Sequence, residues 1–151
     1  MGIEQISPQE CPYYLVSRAS LTITAHLKQS FTAAGVAHVR PGYLGVLMCL
    51  WREDGQKGVD LGRCAGLEPS TMTGLLDRME RDGLVERRPD PEDRRAQRIS
   101  LTRAGQDIRS PVTTVVEQTL SRVLHGVPDN ELEQLKKTLR QVLSNTHKLE
   151  P

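Results

Sequence analysis

The chain has 151 residues, of which 37% are hydrophobic and 26% charged, and its net charge is +1. These values are typical of one globular domain whose core needs neither disulfides nor a metal. The near-zero charge gives no sign of the overall basic excess that many nucleic-acid-binding domains carry. Since the chain has no apolar run of about 20 residues and no basic-then-apolar start, we expect a cytoplasmic protein without a membrane span.

The first third of the chain has helical periodicity. From Pro12 to Phe31 apolar residues recur every four positions, which predicts a long helix with one buried stripe. Gly35–Gly42 breaks the pattern, and Tyr43–Trp51 predicts a second helix that is apolar almost all round. The letters REDGQKG that follow predict a loop.

The middle of the chain predicts two short helices followed by a hairpin. The first helix should end at Gly66, while Pro69 suits the first position of the second helix, which ends at Gly83. Leu84–Arg87 and Gln97–Leu101 predict two strands joined by an extended loop. Helix, tight turn, helix and hairpin is the order of a winged helix-turn-helix.

The last third predicts two further helices. Thr102 can cap a long helix to about His125, in which Pro111 should cause a kink or mark the true start. Asp129 is expected to cap the final helix. The apolar stripe of that helix consists of Leu132, Leu135, Leu139 and Leu143.

The helix that starts at Pro69 has a polar face opposite its buried stripe. This face carries Ser70, Thr71, Thr73, Gly74, Asp77, Arg78 and Arg81. Small hydroxyl residues in a first turn let a helix approach phosphates and base edges, which favours a recognition helix for DNA. The alternative is a solvated face on a packed helix.

The hairpin loop is rich in arginine and in acids. Residues 70–103 hold eight arginines against seven acids, again a balance of +1. An arginine at the tip of such a loop can enter the minor groove, whose negative potential attracts guanidinium groups. We expect Asp93 to pair with Arg95 and stiffen the loop, so that Arg94 projects. The alternative is a solvated charge run.

The segment LGRCAGLEPSTMTGLLDRMERDGLVERRPDPEDRRAQRISLTRAG, Leu61–Gly105, resembles the MarR (multiple antibiotic resistance regulator) family. Its wing resembles that family's signature through Asp93-Arg94-Arg95 and the closing LT-x-x-G. The resemblance implies a mostly α fold with a small β-hairpin wing and helical dimerisation extensions. We expect one domain over 1–151, with a DNA-binding lobe at 43–102 and a dimerisation region at 10–34 and 103–149.

The resemblance also implies a function. Members of the family are homodimers that bind pseudo-palindromic operators, and most are repressors released by a phenolic or aromatic acid or by oxidation of a cysteine. The DNA contacts carried over to this sequence are Ser70, Thr71, Thr73, Arg78, Arg94 and Arg95. Gly74 departs from the pattern, because many members carry a larger or basic residue there. Binding of an effector is expected between the dimerisation helices and the DNA-binding lobe, at Tyr14, Arg18, Tyr43 and Trp51.

The three cysteines share no CxxC spacing, so we expect neither a disulfide framework nor a zinc site. Cys49 and Cys64 lie among apolar residues of predicted helices and are expected to be buried and inert. Cys11 precedes the first long helix, and its place is similar to that of the sensor cysteine in peroxide-sensing members of the family. A thiol-based peroxide sensor is therefore an alternative to a regulator with a small-molecule effector.

Nothing in the sequence resembles a catalytic motif, and the four histidines are scattered without metal-ligand spacing. We therefore expect no enzyme activity, no metal and no cofactor. The expected partners are double-stranded DNA, a second copy of the chain and a small-molecule effector. A rival of another class is a winged-helix module that binds protein and not an operator.

Overall fold

The structure, a computed structural model, describes residues 7–148, which form seven α-helices and one three-stranded antiparallel sheet. The helices are α1 Pro12–Ala33, α2 Leu44–Arg52, α3 Gly58–Ala65, α4 Pro69–Arg81, α5 Arg103–Asp107, α6 Arg109–Val123 and α7 Asp129–His147. The strands are β1 Gln56–Lys57, β2 Val85–Pro89 and β3 Gln97–Leu101. The predicted fold class, mostly α with a small wing, is confirmed.

Helix α1 has the predicted course, but only its C-terminal part is buried. Leu27 and Phe31 are in the core, whereas Leu15 and Val16, nearer the start of the helix, are each about half exposed. Helix α2 is buried, as predicted, through Val46, Leu47, Cys49 and Leu50. The apolar stripe of α1 is therefore longer than the surface that this chain covers.

The helix-turn-helix forms as the sequence predicts. Helix α3 ends at Gly66, which has a left-handed φ of 67°, and the N–H of Leu67 donates to the carbonyl of Gly62 at 2.9 Å. Helix α4 then starts at Pro69 and buries its predicted stripe. The turn is tight, because a Cβ on Gly62 would lie 3.3 Å from the carbonyl oxygen of Leu67.

The sheet has one strand more than the sequence predicts. The order is β1-β3-β2, and the expectation of a loop over the segment REDGQKG is wrong at Gln56 and Lys57, which pair with Ile99 and Arg98 of β3. A two-residue strand is too short to show an alternating pattern. Strand β2 also continues beyond Arg87, and its pairing with β3 extends to the end of the strand.

The helix expected from Thr102 to about His125 is broken. The Thr102 hydroxyl caps α5 by accepting the N–H of Gly105 at 3.0 Å, as predicted, but α5 ends at Asp107. Helix α6 starts at Arg109 with Pro111 in its first turn, which confirms that the proline marks the true start of the longer helix.

The chain divides into two compact units, one ending at Thr119 and one beginning at Leu120. In the second unit α7 begins with Asp129, whereas its N-cap is Pro128, so the expected cap by Asp129 is shifted by one residue. Leu135, Leu139, Val142 and Leu143 are between 37% and 61% exposed along α7. Among the described residues no helix is long and apolar enough to cross a membrane.

Candidate nucleic-acid interface

Helix α4 is amphipathic in the way a recognition helix requires. Met72, Leu75, Leu76 and Met79 are buried, while Ser70, Thr71 and Thr73 are exposed and Arg78 is partly exposed. The Thr73 hydroxyl donates to the carbonyl of Pro69 at 3.1 Å, so its proton is already engaged, whereas its oxygen can still accept. The first turn of α4 thus presents small side chains and free backbone N–H groups to solvent.

The wing loop is organised by a residue that sequence reasoning did not single out, Asp90. Its carboxylate has no exposed surface and accepts the N–H groups of Glu92 at 2.8 Å and Asp93 at 3.1 Å through Oδ1. Its Oδ2 accepts Nε of Arg98 at 2.8 Å, and Lys57 Nζ lies 3.9 Å away. The hydrogen bond from the Glu92 N–H is the largest cause that holds the pKa of Asp90 below its usual value, against the effect of burial.

At the tip of the loop Asp93 contacts Arg95, as predicted, but through the backbone N–H of Arg95 and not through its guanidinium. The Asp93 carboxylate accepts the backbone N–H of Arg95 at 3.0 Å, and within residues 7–148 neither Arg94 nor Arg95 forms an ion pair. A short acidic side chain in a tight loop can reach a backbone N–H two residues on, and this contact leaves the Arg95 guanidinium unengaged. Both arginines are exposed, so the loop presents two guanidinium groups to solvent, those of Arg94 and Arg95.

The wing is joined to the recognition helix by Arg87 of β2. Its guanidinium donates to Asp77 Oδ1 at 2.6 Å and to Glu80 Oε2 at 2.6 Å, and its side chain is 19% exposed. The two acids lie one helical turn apart on the same face of α4. This spacing is the feature of the sequence that could have indicated the contact, because one arginine can reach both acids. The contact engages both acids of α4 and offsets one of their two negative charges.

A second arginine ties the wing to β1. Arg98 of β3 donates Nε to Asp90 and Nη1 to the carbonyl of Gly55 at 2.9 Å. Asp54, in the same turn, accepts the N–H of Leu101 at 2.8 Å. The short strand β1 therefore anchors the base of the hairpin from the side opposite to β2.

The four residues expected to bind an effector differ in their surroundings. Tyr14 and Arg18 are exposed on α1. Tyr43 is 1% exposed and donates its hydroxyl to Asp82 at 2.6 Å, and burial, followed by that contact, raises its pKa. Trp51 donates Nε1–H to the carbonyl of Gly105 at 2.9 Å. The polar atoms of Tyr43 and Trp51 are thus already engaged within the fold.

The cysteines contradict the sequence analysis in part. Cys49 and Cys64 form a disulfide, with Cα atoms 6.2 Å apart, so the expectation of no disulfide and that of two inert thiols are both wrong. The two cysteines are 15 residues apart in the sequence, and they come into contact only when α3 folds back onto α2. Cys11 is a free, partly exposed cysteine at the N-cap of α1, where the sequence predicts the helix to begin.

These elements define a winged helix-turn-helix protein. The family model described as "MarR family" matches residues 42–96, which run from just before α2 to the end of the wing loop. Residues 42–96 therefore match the MarR family, the family that the sequence of this segment resembles.

Several solved structures have a fold similar to that of this chain, and two of them are MarR-family regulators. A MarR-family transcriptional regulator from Silicibacter pomeroyi is 28% identical, with 96% of each chain covered and a TM-score of 0.72. One from Rhodococcus sp. RHA1 is 27% identical, with 86% of this chain and 90% of that chain covered and a TM-score of 0.72. CouR from Rhodococcus jostii RHA1, solved bound to p-coumaroyl-CoA, is 24% identical, with 91% and 94% covered and a TM-score of 0.75.

Proposed function

We propose that this regulator is a repressor that binds a pseudo-palindromic operator as a homodimer. In this proposal α4 lies in the major groove, with Ser70, Thr71, Thr73 and Arg78 at phosphates and base edges, while the wing contacts the minor groove. The observation that carries it is the joint between α4 and the wing, in which Arg87 holds Asp77 and Glu80. That joint holds the two elements that are proposed to contact DNA as one unit and offsets part of the negative charge of α4.

The wing contact is assigned to Arg94 and Arg95, because both are exposed and lack an ion pair within the described range. Arg94→Ala should weaken operator binding by about 1–3 kcal/mol and reduce the salt dependence of binding, with little effect on stability. Arg95→Ala should act in the same way, since alanine keeps the backbone N–H that Asp93 accepts.

The measurement is fluorescence anisotropy of duplexes from the DNA beside the gene, at several salt concentrations. Arg103→Ala is the matched control, since Arg103 is an exposed arginine outside α4 and the wing that pairs with Asp107. Parent-like binding by Arg94→Ala and Arg95→Ala together would exclude the wing contact. Binding that is weak, insensitive to salt and equal for every duplex would favour the rival, a winged-helix module that binds protein.

The homodimer is supported by apolar surface that each unit leaves exposed. In α1, Tyr13 is 81% and Leu21 65% exposed, and α7 exposes its leucine stripe. Large exposed apolar patches on soluble proteins mark interaction surfaces, so we assign these residues to a dimer interface. In the proposed arrangement 10–34 and 103–149 form the dimerisation region and 43–102 the DNA-binding lobe of a single domain over 1–151. Residues 1–6 and 149–151 of that range lie outside the described residues.

Release by a small phenolic or aromatic acid is the second part of the proposal. CouR, which has a similar fold, was solved with p-coumaroyl-CoA, an aromatic acyl thioester. Tyr14 and Arg18, exposed on α1, are the residues best able to meet such a ligand, because an arginine recognises a carboxylate and a tyrosine stacks on a ring. Operator release by a panel of aromatic acids tests this, and Arg18→Gln should raise the concentration required.

A peroxide-sensing regulator that uses Cys11 is the second candidate. It is favoured by one observation, a free and partly exposed cysteine at the N-cap of a long helix. Helix N-termini stabilise a thiolate, the form that reacts with peroxide. Cumene hydroperoxide should then release operator from the parent but not from Cys11→Ser. Equal release from both would exclude this candidate.

A further inference from the structure

The disulfide between Cys49 and Cys64 joins the two helices that precede the recognition helix. Cys49 lies in the last turn of α2 and is 7% exposed, whereas Cys64, near the end of α3, is partly exposed. Of the two cysteines, Cys64 is therefore the more exposed to solvent.

A cation lies beside that sulfur. Arg52, one turn after Cys49 in α2, places Nη2 at 3.4 Å from Cys64 Sγ, and its side chain is exposed. Both cysteines are near helix C-termini, where unpaired carbonyls disfavour a negative sulfur. The guanidinium offsets that effect at Cys64, the sulfur that it contacts, and the thiolate is the reacting form in thiol–disulfide exchange.

We propose that Cys49 and Cys64 form a reversible thiol–disulfide site that is reached through Cys64 and modulates DNA binding. The partners are small thiols in one direction and hydroperoxides in the other. The site itself is independent of the function proposed above, and only its effect on DNA rests on that function. It is distinct from the Cys11 candidate, since it uses two cysteines within the helix-turn-helix.

Reduction and re-formation of the disulfide can each be written as a balanced reaction. In reduction, a thiolate attacks Cys64 Sγ, the S–S bond breaks and Cys49 leaves and takes up a proton. A second thiolate then attacks the added sulfur, which releases a small disulfide and the Cys64 thiolate. In oxidation, the Cys64 thiolate attacks a hydroperoxide oxygen, an alcohol leaves after protonation, and a sulfenic acid forms. Cys49 attacks that sulfur, and water leaves as the disulfide re-forms.

The effect on DNA passes through α3. This helix meets the start of α4 closely, since a Cβ on Gly62 would lie 3.3 Å from the Leu67 carbonyl and 3.4 Å from Met72. The covalent link holds α3 against α2, and its loss leaves only side-chain packing to do so. Reduction should therefore lower the population of the binding-competent arrangement and raise the apparent dissociation constant in proportion, by about threefold or more.

The first experiment counts thiols. Protein prepared without reductant is unfolded in the presence of iodoacetamide, and the number of alkylated cysteines is measured by mass spectrometry. One alkylated cysteine, Cys11, is expected. After dithiothreitol all three cysteines should react. Return of the disulfide is followed in Cys11→Ser, because peroxide can also oxidise Cys11. After removal of the thiol and addition of cumene hydroperoxide, neither cysteine of that variant should react. Two alkylated cysteines in Cys11→Ser after peroxide would overturn the proposal.

The second experiment uses variants. Arg52→Gln should slow both reduction and re-formation of the disulfide, while Arg63→Gln, an exposed arginine of α3 that pairs with Asp60, should not. Equal rates in the parent and both variants would overturn the role of Arg52. Each rate is followed by alkylation, so the result does not depend on DNA.

The third experiment measures operator affinity of oxidised and reduced protein. The parent and Cys11→Ser should lose affinity on reduction, and the double variant Cys49→Ser with Cys64→Ser should bind with the reduced protein's affinity in both conditions. Identical affinity of oxidised and reduced parent would overturn the link to DNA binding. If neither form binds any duplex, the proposed function fails while the thiol counts still decide the disulfide.

Discussion

At the scale of single residues, Asp90 shows how a carboxylate can set the shape of a binding loop. It receives two backbone N–H groups through one oxygen and the Arg98 guanidinium through the other. Burial without partners would be unfavourable for such a charge, whereas here each oxygen has a donor. The loop that carries Arg94 and Arg95 is therefore held from inside by an acid, and an acidic segment can still present two guanidinium groups to solvent.

The depressed pKa of Asp90 predicts a dependence of stability on pH. Because the folded pKa lies below the unfolded value of about 3.9, the carboxylate stabilises the fold above that pH, and this contribution is lost as pH falls through the folded pKa. Asp90→Asn keeps an acceptor for the N–H groups but places an amide N–H₂ toward Arg98. It should be less stable than the parent at pH 7.

Thermal unfolding between pH 7 and pH 2.5 measures this. The melting temperature of the parent should fall more steeply below about pH 4.5 than that of Asp90→Asn, because the variant has no carboxylate to protonate. Asp93→Asn is the control, since Asp93 is exposed and its carboxylate accepts one backbone N–H. Parallel pH profiles for the parent and Asp90→Asn would contradict the stabilising role of the charge.

At the scale of elements, the return from the wing to α5 depends on a close approach at Gly105. A Cβ there would lie 2.1 Å from the carbonyl oxygen of Leu84, which is backbone and cannot turn aside. Gly105→Ala should lower the free energy of unfolding by about 1–3 kcal/mol, the usual cost of overpacking. Gly74→Ala is the opposite case, because the nearest atom to its Cβ is Arg78 Nη1 at 3.6 Å.

Alanine at position 74 should raise the free energy of unfolding by up to about 1 kcal/mol, since glycine is a poor residue inside a helix. Urea denaturation of both variants provides the measurement. If the denaturation midpoints of Gly105→Ala and Gly74→Ala shifted in the same direction, the contrast between a crowded Gly105 and an uncrowded Gly74 would be wrong. A loss of operator affinity in Gly74→Ala, despite its greater stability, would identify a close approach of DNA to α4.

The joint between α4 and the wing leads to a prediction on affinity. Arg87→Gln frees Asp77 and Glu80 and loosens β2 from the helix, so operator binding should weaken by about tenfold, equivalent to about 1.4 kcal/mol. Since Arg87 is expected to position these elements and not to contact a phosphate, the salt dependence should stay near that of the parent, unlike that of Arg94→Ala. Anisotropy titrations over salt concentration separate the two roles.

Arg88→Gln is the control for that experiment, because Arg88 is the next residue of β2, is exposed and pairs with Glu86 of the same strand. It should bind operator more tightly than Arg87→Gln does. A salt slope that falls in Arg87→Gln as much as in Arg94→Ala would show that Arg87 itself meets a phosphate, and the joint would then be a secondary role.

What the sequence predicts is largely local. Periodicity, Gly66 and Pro69 were sufficient for α3, the turn and α4, because each signal acts within a few residues. Strand β1 and the disulfide were missed, since both depend on segments that come together only in the folded chain. The same holds for Arg87 and Asp90. Their charges are visible in the sequence, but which acid meets which arginine is decided by the register of β2 on β3.

At the scale of the whole molecule, a net charge of +1 is compatible with DNA binding because the charges are sorted in space. Asp77 and Glu80 share Arg87, and Asp90 pairs with Arg98, so two arginines of the wing strands engage three acids. Arg94 and Arg95 remain exposed at the loop. The loop tip has no net positive charge, because Glu92 and Asp93 balance Arg94 and Arg95. Attraction of phosphates should therefore come from the two exposed guanidinium groups at close range, within about 8–10 Å at physiological salt.

The last prediction concerns assembly. Leu135→Asp with Leu139→Asp places two charges on the exposed leucine stripe of α7, where burial in a partner would leave them without counter-charges, so the homodimer should dissociate. A palindromic operator needs two recognition helices about 34–36 Å apart, hence the monomer should lose operator binding as well. Sedimentation and anisotropy at matched concentrations measure both. Gln134→Asp with Gln141→Asp adds the same charge to exposed polar positions of α7 and should leave both intact. A parent that sediments as a monomer and still binds a palindrome with full affinity would exclude the dimer.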